Sequence, residues 1–195
     1  MTNIYIIRHG ETDSNIRHTC LGQKDVPLNE NGRQQAQELA DKLADVKLDA
    51  VYSSPLDRAV NTFAPASRGR GVTMSFALIE RDFGVWDDMT FDEIREKDPG
   101  EFEKWQKDYV GYQIKDGESS EQVQARVNAF TDKLLKNHSG QTIAVVTHLG
   151  TARHLISRLL GLTTEQSWRF TLDTGKFALI SVDDEGKGLL KALNV

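Results

Sequence analysis

Apolar runs of strand length alternate with longer segments of helical period along this 195-residue chain, and that alternation limits the fold more than any other feature. The runs are "NIYII" (3–7), "LDAVYSS" (48–54), a short "VTMSFAL" (72–78) and "TIAVVTH" (142–148), the most apolar of them. Between the first two, "NENGRQQAQELADKLADV" carries Ala36, Leu39, Ala40 and Leu43 at i, i+3, i+4 and i+7, one face of an amphipathic helix. After the second, Pro55 opens a helix over "PLDRAVNTFAPA", since proline is tolerated in a first turn. "SSEQVQARVNAFTDKLLKN" begins with Ser119 and Gln122 in capping-box spacing and runs on with Val123, Val127, Phe130 and Leu134 along one stripe. "TARHLISRLLG" is helical, and "KFALISVD" and "GLLKALNV" form a closing hairpin around "DEGKG". Residues 84–116 read as one or two short helices with a loop. Strands alternating with helices predict an α/β fold: a mostly parallel central sheet, helices on both faces, and an antiparallel edge from the hairpin. No repeat or linker divides the chain, so residues 1–195 read as one domain.

Composition excludes several function classes. The hydrophobic and charged fractions, 38% and 27%, are those of a globular chain. A net charge of −5 without a long basic run argues against nucleic acid, whose phosphates require clustered Lys and Arg. No apolar stretch approaches the ~20 residues of a membrane helix. The start "MTNIYII" lacks a signal peptide's basic and long apolar regions, and the lone Cys20 cannot form an internal disulfide, so a reducing cytoplasm is expected. Cys20, in a polar stretch, reads as incidental.

Two of the runs share an ending. "NIYII" leads into Arg8, His9 and Gly10; "TIAVVT" ends in His148, then Leu149, Gly150 and a helix. In open α/β sheets ligands bind beyond the carboxyl ends of the strands. If these two strands are parallel neighbours, His9 and His148 meet there. "SPLDRA" brings Arg58 to the same edge, and "ALIERDFG" brings Glu80. Two arginines call for an anion with several oxygens, because the guanidinium fork matches phosphate. A neutral imidazole can attack phosphorus. Phosphoryl transfer asks mainly for positioning and charge stabilisation, which a second histidine and helix N–H groups can supply. A carboxylic acid can protonate the leaving alkoxide. The scheme requires neither metal nor cofactor.

These segments also carry a resemblance. "RHGET" at 8–12 resembles the signature of the histidine phosphatase superfamily, the phosphoglycerate mutase-like proteins. In the family's order follow "GQKDVPLNENGRQQA", "SSPLDRAVNT", "ERDFGVWD", "DGES" and "VVTHLG", so the likeness covers nearly the whole chain. It implies His9 as the nucleophile that becomes phosphohistidine, Arg8 and Arg58 gripping the phosphoryl group with His148 beside it, and Asn15 near the phosphate. It further implies Glu80, in E-x-x-F-G, as proton donor, a Gly22 N–H close to substrate and the Leu149 N–H on a phosphate oxygen. Leu21 stands where the mutases usually carry a hydroxyl residue, the mutases' longer insertion is missing, and "WDD" and "HLG" stand for W-E-G and H-G-G. The short insertion fits a phosphatase better than a mutase, and the departures bear on the substrate rather than on the chemistry. The C-terminal half is most similar to the α-ribazole phosphatase branch of cobalamin synthesis.

The expected partner is therefore a small phosphorylated metabolite, α-ribazole 5′-phosphate first; neither nucleic acid nor membrane is expected, and a homodimer is compatible with the chain. Rival readings are a phosphoglycerate mutase, a broad-specificity phosphatase of the same family and a non-catalytic module that binds a phosphorylated ligand. A metallohydrolase has no H-x-H or H-E-x-x-H spacing behind it. His138 reads as an exposed loop residue, His154 as supporting or surface, and His18 as a residue that could line the cleft. Trp86, Trp105 and Trp168 read as core or cap residues, and Lys104, Lys107 and Lys115 as a solvated face. Residues 84–116 are expected to hold substrate specificity.

Overall fold

The computed structural model describes all 195 residues, and its centre is a six-stranded mixed sheet ordered β3-β2-β4-β1-β5-β6. The strands are β1 (Thr2–Arg8), β2 (Ala50–Ser53), β3 (Thr73–Met74), β4 (Thr142–Thr147), β5 (Phe177–Val182) and β6 (Gly188–Ala192). β1, β2, β3 and β4 run parallel, while β5 and β6 make the antiparallel edge. β1 and β4 are neighbours in register, with Arg8 opposite Thr147.

Strand period two sorts the core into layers. Ile4 and Ile6 of β1 and Ile143 and Val145 of β4 point to one face. There they meet Val123, Val127 and Leu134 of α6 (Ser120–Asn137) and Leu155, Ile156 and Leu159 of α7 (Leu149–Leu160). Ile7, Ala144 and Val146 point to the other face, against Leu39 and Ala40 of α2 (Glu30–Lys42) and Ala59 and Phe63 of α3 (Asp57–Ser67). Each fully buried aliphatic or Phe side chain contributes about 1.5–3 kcal/mol, so these layers carry most of the stability. The segment 84–116 forms α4 (Phe91–Lys97) and α5 (Pro99–Lys107) over a separate small core of Trp86, Ile94, Phe102 and Ile114.

The structure differs from the sequence reading in several places. The expected strand over 72–78 shrinks to the exposed pair Thr73–Met74, and Phe76–Leu78 turns as a 3₁₀ helix that buries Leu78. The helix expected from Pro55 starts at Asp57, because Leu56 keeps an extended ψ of 136° as its N-cap. A one-turn α1 (Asp13–Ile16) and a 3₁₀ turn at Glu165–Arg169 have too few residues to show a period and are visible only in the structure. His138 is half-buried, with Nε2 2.7 Å from the Tyr52 hydroxyl and Nδ1 against Gln141, rather than an exposed loop residue. Lys104 and Lys107 pair with Glu101 and Glu103 on the open face of α5. No helix is long and apolar enough to cross a membrane.

Candidate active site

The residue after β1 is His9 and the residue after β4 is His148, so parallel pairing brings both rings to one sheet edge, with centroids 5.1 Å apart. His9 is 4% exposed, and its Nδ1 lies 2.7 Å from the carbonyl of Gly10. A carbonyl only accepts, so Nδ1 carries the proton and Nε2 keeps its lone pair. Burial, reinforced by Arg8 and Arg58, pushes the His9 pKa well below the usual histidine value. The backbone around it is tightly set: the Gly10 N–H donates to Thr62 Oγ1 at 2.7 Å, and a Cβ on Gly10 would lie 2.6 Å from the Gly32 carbonyl oxygen in α2. Glycine is required at position 10 by this close approach.

His148 is fully buried and caps α7. Its Nδ1 accepts from Arg58 Nε at 3.2 Å, so the neutral ring carries its proton on Nε2, 2.8 Å from Ser54 Oγ. Burial, then Arg58 and His9, holds its pKa well below the ordinary range as well. Arg58 is also fully buried and donates to the carbonyls of Lys24 (2.9 Å) and Gly22 (2.6 Å). A guanidinium has five N–H groups, and three are committed here, leaving two. Arg8 donates to the Leu172 carbonyl at 2.8 Å, but its buried Nε has no partner. Burial lowers its pKa to about 10, so it stays cationic near neutrality.

Asn15 ends a capping box with Thr12 in which its Oδ1 accepts from the Thr12 N–H at 3.0 Å. That assignment leaves the amide NH₂ to the cleft. Glu80 is buried over the start of α7: Oε2 accepts from the Gly150 N–H at 2.9 Å, and Oε1 from the N–H groups of Arg81 (2.8 Å) and Thr151 (3.2 Å). Leu149 is the first residue of that helix, so its N–H has no partner within the helix.

Of the expected site residues, Arg8, His9, Asn15, Glu80 and Leu149 line one cavity of about 250 Å³. Arg58 and His148 sit behind that wall, reaching it through His9 and the loop at Gly22. Gly22 departs from expectation. Its N–H is donated to Asp87 Oδ1 at 2.7 Å and is not free for a substrate. A Cβ there would lie 2.7 Å from the Arg81 carbonyl oxygen, so the glycine permits loop packing instead.

Other residues escaped the sequence reading. Asp87 gathers the N–H groups of Gly22, Gln23 and Lys24, which fixes the carbonyls that hold Arg58. Arg126 of α6 donates to the carbonyls of Ala77, Ile79 and Glu80, and pairs with Glu118. Arg153 lies one turn beyond Leu149 and lines the cavity; so do His18, as its place in the sequence suggested, and His154, which is buried rather than on the surface. His154 is 6% exposed, and burial with Arg126 and Arg81 nearby lowers its pKa to about 4. Arg153 and His154 share the i+4 position from residues that the motif reading had marked, which was the one available signal. Cys20 lines the cavity too, but burial raises its thiol to about 12, which leaves it unreactive.

Arg8, Arg58, Arg81 and Arg153 take part in none of the ion pairs of the chain, and burial lowers the pKa of each. Glu80 is the only carboxylate among the cavity residues. A neutral buried imidazole with a free Nε2, set in unpaired guanidinium charge at a helix N-terminus, has the groups that phosphoryl transfer would use.

Comparison with known proteins agrees. The profile of the histidine phosphatase superfamily (branch 1) matches residues 4–195, and the chain belongs to that family. Phosphoserine phosphatase 1 of Hydrogenobacter thermophilus is 32% identical over 100% of this chain and 93% of its own length. The adenosylcobalamin/alpha-ribazole phosphatase of Escherichia coli is also 32% identical, over 93% of this chain and 91% of its own. The crystal structure of the alpha-ribazole phosphatase from Shigella flexneri superposes with a TM-score of 0.93 at 31% identity, covering 99% of this chain and 96% of that one. The fold is that of the phosphoglycerate mutase-like phosphatases, and the chain is a phosphatase of this family.

Proposed function

We propose that the chain hydrolyses a small phosphomonoester through a phosphohistidine on His9. The observation that carries this reading is the His9 ring: Nδ1 tied to the Gly10 carbonyl, Nε2 free, and a lowered pKa that keeps it neutral. Nε2 attacks phosphorus as the ester P–O bond breaks, and Glu80 gives its proton to the leaving oxygen. Water then attacks the phosphohistidine while the Glu80 carboxylate takes its proton, so phosphate leaves and both residues return to their starting states. Arg8, the two spare N–H groups of Arg58, the Asn15 amide and the Leu149 N–H receive the phosphoryl oxygens. His148 holds Arg58 through Nδ1, and its ring lies 5.1 Å from that of His9, beside the phosphoryl position.

For the substrate we favour α-ribazole 5′-phosphate, a ribose ester carrying a benzimidazole. Beyond Glu80 the cavity wall combines aromatic and aliphatic side chains with arginines and the neutral polar Thr19, Ser120 and Ser167. A flat neutral leaving group suits that wall. The relative named phosphoserine phosphatase, at the same 32% identity and over 100% rather than 93% of this chain, favours phosphoserine as the second reading. Its carboxylate would suit the unpaired Arg81 and Arg153, but its ammonium would meet no second carboxylate in the cavity. Phosphate release should be measured over a panel with α-ribazole 5′-phosphate, phosphoserine, 3-phosphoglycerate and ribose 5-phosphate. The highest kcat/KM is expected on the first; a tenfold preference for phosphoserine would replace it, and isomerisation of 3-phosphoglycerate would revive a mutase. His9→Ala should abolish turnover, and quenched wild-type enzyme should carry acid-labile, base-stable phosphate that the variant lacks. Substantial activity in His9→Ala would show another nucleophile.

A further inference from the structure

Single exposed apolar side chains need no explanation, but exposed apolar residues gathered at a cavity mark a binding surface. Phe91 and Trp168 are 44% and 48% exposed, and both line the cavity that holds His9. They come from separate parts of the chain: Phe91 is the first residue of α4, and Trp168 lies in the 3₁₀ turn after α7. Neither ring is loose. Phe91 stacks on Trp105 of α5, with centroids 5.2 Å apart and planes at 25°, and Trp105 lines the cavity too. Trp168 carries the Arg153 guanidinium 4.7 Å above its ring and meets Tyr109 edge-on at 5.7 Å. Arg153 is pinned in turn by its Nε donating to the Phe170 carbonyl at 3.1 Å.

We infer that Phe91 and Trp168 form an aromatic clamp that selects phosphomonoesters whose leaving group carries a planar ring system. Distance along the fold supports it. Arg153 stands four residues beyond Leu149 on α7, about 6 Å further along the axis at 1.5 Å per residue. Arg153 and Trp168 line the same cavity as His9 and Leu149, so a leaving group that extends from the phosphoryl position along that cavity meets the pair. Ring stacking tolerates any flat π-face, and a guanidinium adds cation–π attraction. The clamp deepens the α-ribazole reading, whose leaving group ends in such a ring, but also stands for any planar leaving group.

The test uses Trp168→Ala and Phe91→Ala, both at exposed positions outside the main cores. kcat/KM is measured for 1-naphthyl phosphate and α-ribazole 5′-phosphate as planar substrates, and for ribose 5-phosphate and glycerol 3-phosphate as non-planar ones. The wild type should prefer the planar class, and each variant should lower the planar-to-non-planar ratio about tenfold or more, mainly through KM. Binding of free 1-naphthol should quench wild-type tryptophan fluorescence and do so less in Trp168→Ala. A wild type without planar preference, or variants that lose both classes equally, would overturn the clamp. A strong preference for 1-naphthyl phosphate over α-ribazole 5′-phosphate would keep the clamp and remove α-ribazole as the substrate.

Discussion

Glu80 carries the most exacting role in the proposed reaction, because its position follows from three backbone N–H groups. A general acid matters only as far as the leaving group needs a proton. An alkyl phosphate expels a strongly basic alkoxide, whereas p-nitrophenyl phosphate expels a phenolate stable near neutrality. Glu80→Gln preserves size and cannot donate a carboxylic proton. It should lower the rate on an alkyl phosphate by ~10²–10⁴-fold and the burst of phenolate release about tenfold less than that. Equal losses on the two substrates would reduce Glu80 to holding phosphate or structure. His9 was legible as a candidate because Arg-His-Gly follows an apolar run; its tautomer was not, since that depends on the Gly10 carbonyl 2.7 Å away.

At the scale of elements, α6 sets the segment that bears Glu80. Arg126 spends all five N–H groups, on the carbonyls of Ala77, Ile79 and Glu80 and on both oxygens of Glu118. Lysine cannot form such a fork. Arg126→Lys should cost about 2–3 kcal/mol of stability, in the range for hydrogen bonds to a charged group. If Arg126 positions Glu80, the variant should also lower kcat on alkyl phosphates more than the p-nitrophenyl burst, the signature of a displaced acid. A uniform loss across substrates would mean that Arg126 supports the fold alone. The strand expected over 72–78 belongs to this same segment. Its sequence is β-prone, but the chain must leave the sheet to place Glu80 against α7, and tertiary geometry overrides local preference.

Across the whole molecule, three buried histidines make stability depend on acidity. Burial lowers the pKa of His9 and His148 well below the usual value and that of His154 to about 4. Below the unfolded value near 6.5 the unfolded chain binds more protons than the folded one, so stability rises with pH there and falls as pH drops. Between pH 6.5 and 4, His154 alone accounts for about 3 kcal/mol at 1.36 kcal/mol per unit. Urea midpoints should fall steadily from pH 7 to pH 4.5, and His154→Phe should flatten the slope by about one proton. A midpoint independent of pH over that range would contradict the buried neutral state.

The layered α/β fold was determined by the sequence alone, because apolar runs of period two and stripes of period 3.6 are local consequences of burial on one or two faces. His9, Arg58 and His148 were legible as candidates for the same reason: each follows a strand, and strands of one direction end at one edge, whereas Glu80 follows a run that leaves the sheet after Met74. Only the tertiary structure decided that Gly22 donates to Asp87, that Asp87 and Arg126 hold the loops behind the site, and that Arg153, His154, Phe91 and Trp168 share its cavity. Those contacts join residues far apart in the chain, and they are set by packing between elements, which leaves no period or spacing in the sequence to read.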